Sequence, residues 1–94
     1  MSRDAYVEKL KAQIDQWNAQ IDQWEAKARE AEADAKITYD QQLGEVRQQR
    51  DAAQSKLNEI QSAGEQAWED LKSGTEQAFA ELRSGIEKAA VHFK

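Results

Sequence analysis

The sequence has no cysteine and no proline, and it holds only four glycines and one histidine in 94 residues. Each scarcity excludes something. Without cysteine there are neither disulfides nor thiolate metal sites. Without proline, and with so little glycine, the chain lacks the turn punctuation that a β-protein needs. No apolar run approaches the ~20 residues of a membrane-spanning helix. The opening MSRDAYVEKLK has no apolar core of the secretory kind, so the expected location is the cytoplasm. Positive charge is also short: 13 Lys and Arg face 18 Asp and Glu, a net charge of −5. A phosphate binder clusters its cations, and no such cluster stands out along the chain, so nucleic acid is not an expected partner.

The chemistry of catalysis is equally thin. His92 is the one histidine, and its helical neighbour four residues back is Lys88, a poor companion for a metal ligand. Carboxylate pairs such as Glu65 with Glu69 lie on the solvated face, where no cleft holds a substrate. There is no glycine-rich phosphate loop and no nucleophile elbow. Trp17, Trp24 and Trp68 could form a stacking platform for bases, but their spacing is that of a packed seam and no cationic groove accompanies them in sequence. The expectation is a protein that is not an enzyme, with no cofactor, no metal and no small-molecule substrate.

What the chain does have is helix formers and period. Ala, Glu, Gln, Lys and Leu dominate, and a proline-free stretch of such residues favours uninterrupted helix. Ser2 and Asp4 are candidate N-caps. From Leu10 an apolar seam runs through Ile14, Trp17, Ile21, Trp24, Ala28, Ala31 and Ala35 at alternating spacings of four and three, the pattern of a coiled-coil heptad. Inside it lies a near-duplication, QIDQWNA followed by QIDQWEA. Tryptophan is wide for a seam position, and two in succession point to contact among more than two helices.

The spacing then lengthens. Ala35, Tyr39, Leu43 and Val46 follow at four, four and three, and Arg50, Ala53, Leu57 and Ile60 continue. The chain closes on three 11-residue units, SAGEQAWEDLK, SGTEQAFAELR and SGIEKAAVHFK. Eleven residues over three turns hold one apolar stripe on a nearly straight helix. Trp68, Leu71, Phe79, Leu82, Ile86 and Phe93 carry it to the C-terminus. The stripe is lopsided. One flank is small (Ala67, Ala78, Ala89, then Ala63, Gly74, Gly85); the other holds Trp68, Phe79 and Ile86. A small flank lets another backbone approach closely.

The fold class is therefore all-α: a long amphipathic coiled-coil helix, heptads and then hendecads, that self-associates. It divides into 1–61 and the repeat segment 62–94. Two shapes stay open. One is a continuous rod roughly 140 Å long at ~1.5 Å per residue. The other is a hairpin bent near Ser62, where Ser62 and Glu65 match a capping box. In the hairpin, 62–94 lies against roughly 29–61, and residues 10–28 project as a separate association seam.

The run Ala67-Trp68-Glu69-Asp70-Leu71-Lys72, followed by Gly74, Glu76 and Ala78, resembles the C-terminal signature of a family of small bacterial coiled-coil proteins linked to stress response. Ala5-Tyr6-Val7-Glu8-Lys9-Leu10-Lys11-Ala12-Gln13, Trp17-Asn18-Ala19 and the stretch from Ala31 to Tyr39 resemble that family as well, so the likeness covers nearly the whole chain. It implies a soluble, oligomeric, stress-related bacterial protein and supplies no catalytic residues. The 11-residue units are also similar, more weakly, to apolipoprotein-type repeats, which lie on lipid surfaces.

The expected function is non-enzymatic self-association. A lone amphipathic helix is marginal in water, and each buried Leu, Ile or Trp contributes roughly 1.5–3 kcal/mol. The expected interface is Leu10, Ile14, Trp17, Ile21, Trp24, Tyr39, Leu43, Val46, Leu57, Ile60, Trp68, Leu71, Phe79, Leu82, Ile86 and Phe93. The alternative is reversible binding of a lipid surface through 62–94.

Overall fold

Among the described residues three helices follow one another: α1 (Arg3–Glu30), α2 (Ala33–Ser62) and α3 (Ala67–His92). The computed structural model describes residues 2–93; Met1 and Lys94, the outer ends of the two segments read from sequence, lie outside it. Among the described residues 91% are helical and none is in a strand, in keeping with a chain of helix formers. The N-cap of α1 is Ser2, whose hydroxyl accepts from the Ala5 amide at 3.2 Å.

The continuous rod is ruled out. The longest dimension is 51 Å, against 18 and 17 Å across, because the chain reverses twice. One reversal falls close to the expected place, at Ala63–Gln66, but the capping box there is not used. Ser62 is the last residue of α2, and its hydroxyl donates backwards to the Asn58 carbonyl at 2.6 Å. Gly64 accepts the Ala67 and Trp68 amides as α3 begins, and the Arg3 guanidinium donates to the Ala63 carbonyl, tying the start of α1 to this turn.

The other reversal was not foreseen. Ala31 and Glu32 are extended, at φ −75°, ψ 151° and φ −68°, ψ 161°, and they separate what the seam presents as one helix. Residues 10–28 therefore do not project as a separate seam: α1 folds back along α2 and α3. The apolar stripe turns inward from all three helices. Ile21, Ala53, Ile60, Thr75, Leu82 and Ala89 are wholly buried. Thr75, the one buried polar residue among those described, donates its hydroxyl to the Leu71 carbonyl at 2.9 Å, so burying it leaves no donor unmet.

The lopsided flanks of α3 explain how the helices pack. The small flank faces α2, and the two helices approach closely. A Cβ on Gly74 would rest in ordinary contact with the end of the Lys56 side chain, 3.9 Å away. Gly85 is tighter. A Cβ there would collide with the Gln49 carboxamide, coming within 2.8 Å of its Cδ. The bulky flank meets α1 through aromatic side chains.

Gly85 yields a prediction. Glycine within a helix is disfavoured by roughly 0.5–1 kcal/mol relative to alanine. The atoms a Cβ would meet are the far end of the flexible, half-buried Gln49 side chain, whose Oε1 makes no hydrogen bond that moving it would break. Gly85→Ala should therefore stabilise the native chain by up to about 1 kcal/mol. Urea denaturation checks this; a destabilised Gly85→Ala would mean that Gln49 cannot swing aside.

Candidate functional site

Two surfaces stand out, one along the seam between α1 and α3 and one at the joint between α1 and α2. The seam is built from aromatic pairs. Tyr6 meets Trp68 and Trp17 meets Phe79, both at 6.0 Å between ring centroids. These partners are eleven residues apart on each helix, so one spacing keeps the two in step. Farther along, Trp24 stacks on Phe93 at 5.0 Å, and Tyr39 stacks on the same ring at 4.4 Å. Large rings hold α1 and α3 farther apart than α2 and α3, and a groove of about 450 Å³ opens between them.

Leu10 and Phe79 give that groove an apolar floor, while Lys9, Lys72 and Arg83 stand around it with a single acid, Glu76. None of the three cations is in an ion pair among the described residues. The Lys72 ammonium lies over two rings, 5.4 Å from the centre of Tyr6 and 5.2 Å from that of Trp68, a favourable cation–π placement. This local excess of positive charge sits on a chain that is acidic overall.

Tyr6 closes one end of the groove and donates its hydroxyl to Glu76 Oε1 at 3.3 Å. Burial pushes the Tyr6 phenol up to about 12, and the Glu76 carboxylate adds to the rise. The folded chain thus holds this proton more tightly than the unfolded chain, whose tyrosine titrates near 10. The stabilisation is complete below that unfolded value and is lost as pH rises through about 12. Relative to Tyr6→Phe, the native chain should lose on the order of 2 kcal/mol across this window. Parallel urea titrations with no relative loss would refute the assignment.

The second surface is the start of α2. From Ala33 to Gln42 no residue is buried, and Ile37 is 62% exposed. Ala35, beside the first joint, is an exposed member of the apolar stripe, and Gly64 in the second joint and Ala67 at the start of α3 are exposed as well. Val91 of α3 is also exposed, at 65%.

The sixteen residues expected at an interface lie together inside one chain. Leu10, Ile14, Ile21, Trp24, Leu43, Val46, Leu57, Ile60, Trp68, Phe79, Leu82 and Phe93 are buried; Trp17, Tyr39, Leu71 and Ile86 are half-buried against them. Tyr6 and Val7 belong to the same core and were missed, although Val7 extends the seam one step before Leu10. The convergence of Lys9, Lys72 and Arg83 was missed too. Its sequence signal is that each 11-residue unit ends in a basic residue.

Among the described residues, no group of His, Asp and Glu is arranged to hold a metal ion, and no helix is long and apolar enough to cross a membrane. No protein-family model, curated protein or solved structure matches the chain.

Proposed function

We propose that this is a non-enzymatic protein that acts by self-association of its helices, in the stress-related role implied by its resemblance to the bacterial coiled-coil family. The stripe itself no longer requires a second copy, because the chain's own helices cover it. What lacks cover is the first third of α2. These ten helical residues have no fully buried side chain and reach the core chiefly through half-buried Tyr39, so most of the stretch gains little from tertiary packing, and an isolated stretch of that length is marginal in water. Ile37, in the middle of it, is the apolar residue most in need of a partner, and a second copy of the same surface supplies one. Sedimentation equilibrium from micromolar to millimolar concentration tests this. A mass rising toward twice that of the chain supports it, and a constant monomer mass refutes it.

Lipid-surface binding through 62–94 is favoured by one observation, the three cations around the aromatic groove. An anionic headgroup would meet Lys72 and Arg83 there, with Trp68 and Phe79 beside it. The acidic face of the rest of α3 opposes it. Co-sedimentation with anionic but not zwitterionic vesicles would decide for lipid.

A further inference from the structure

The two joints of this fold are built differently. The α2–α3 joint contains Gly64, whose carbonyl accepts two amides, and is clamped by Arg3. The α1–α2 joint has none of this. It is Ala31 and Glu32, flanked by Glu30 and Ala33, all good helix formers with no Gly, Pro, Asn or Ser among them. Glu32 is the N-cap of α2, yet its side chain makes no capping bond. The joint's backbone bonds are the Ala31 amide to Ala28 at 3.3 Å and the Lys36 amide to Glu32 at 2.8 Å. Nothing local favours a turn here over continued helix. The seam also keeps its phase across the joint, through Ala28, Ala31, Ala35 and Tyr39. In a straightened helix, therefore, α1 and α2 would present their apolar residues on the same side.

We propose that two copies of this chain exchange α1: the Ala31–Glu32 joint straightens, residues 3–62 become one helix, and each α1 packs on the α2–α3 hairpin of the other copy. This rests on the self-association proposed above and names its route. No new apolar surface is needed. The contacts that hold α1 in the closed chain re-form between copies: the ring pairs Tyr6–Trp68, Trp17–Phe79 and Trp24–Phe93, and the polar pairs Glu25–Arg47 and Asn18–Arg50 at 3.4 and 3.0 Å. The register of the polar pairs places the two-fold axis. Their midpoints along the chain are residues 36 and 34, so the two long helices cross beside Ala35. That is where the closed chain leaves the seam exposed, at Ala35. Exchange is the expected hazard of a short hinge that joins well-formed helices.

Ala33→Pro separates the two states. In the closed chain Ala33 is the first residue of α2, where proline is tolerated, and Glu32 already has the extended conformation favoured before proline. In a straight helix the same proline falls in the interior and breaks it. Both proteins are to be refolded from urea at millimolar and at micromolar concentration and resolved by size-exclusion chromatography. The native sequence should give a dimer at the higher concentration. Ala33→Pro should weaken that dimer by ~100-fold or more, with the melting temperature of the dilute monomer unchanged or raised. Replacing Ala31 and Glu32 together by glycine lowers helix propensity without straining the turn, and should shift the equilibrium the same way by roughly tenfold or more. To read the exchange directly, Gln13→Cys chains are co-refolded with Ala80→Cys chains. These positions lie on opposite walls of the α1–α3 groove, and a short bis-maleimide should join them across copies in the dimer. A dimer unaffected by proline or glycine, or one without the 13–80 crosslink, overturns the exchange and leaves self-association standing. A native chain that is monomeric at every concentration overturns both.

Discussion

Leu82→Ala is expected to destabilise the fold by about 2–5 kcal/mol. Leu82 is wholly buried and lies on the centre line of the α3 stripe, between the flank that meets α2 and the flank that meets α1. Removing its isobutyl group forfeits the transfer free energy and leaves a cavity bordered by three rigid helices, none of which can close it alone. The loss is large against a total of roughly 5–14 kcal/mol for a chain of this length. Leu71, eleven residues earlier on the same line but half-buried, should cost distinctly less when truncated. Urea unfolding followed by circular dichroism compares the two. If Leu71→Ala proves the more damaging, the centre of the core has been misplaced.

That line was visible before any fold was known, because an 11-residue period fixes which side chains share a face of a helix. So was the asymmetry of α3: the small flank around Gly74 and Gly85 does admit a neighbouring helix, and that neighbour is α2 of the same chain. What period cannot give is where an amphipathic helix folds back on itself. Residues 28–39 hold no Gly or Pro, are strong helix formers through the joint itself, and keep an unbroken phase, so local propensity argues for continuity. It is outweighed by burial. Folding α1 back covers Tyr6, Val7, Leu10, Ile14, Ile21 and Trp24, at roughly 1.5–3 kcal/mol for each large side chain. Against that, two residues leave the helix. Non-local contacts win, and they leave no mark at positions 31 and 32. The groove was illegible for a similar reason. Lys9 and Lys72 are 63 residues apart in sequence, and only the parallel course of α1 and α3 brings them to one place.

α1 packs closely on α2 and meets α3 through the aromatic seam, and Trp24→Ala tests that seam most severely. Trp24 is 5% exposed and stacks on Phe93, which in turn stacks on Tyr39. Those three rings come from α1, the end of α3 and α2, so one side chain joins all three helices at this end. Nearby, the Lys27 ammonium donates to the Phe93 carbonyl at 2.7 Å, a cation at the negative end of α3. Truncating Trp24 should cost about 3–5 kcal/mol, and the loss should not be shared evenly. α2 and α3 retain their close packing through the small flank, whereas α1 touches α3 chiefly through its rings. Amide hydrogen exchange should therefore accelerate most in α1, with the α2–α3 hairpin less affected, as a sub-global opening rather than uniform loosening. Trp17→Ala, which removes a half-buried partner of Phe79, should show the same pattern at smaller amplitude. Uniform acceleration across the three helices in Trp24→Ala would mean that the seam is no weaker than the rest of the core, and that α1 has no separate freedom to leave it.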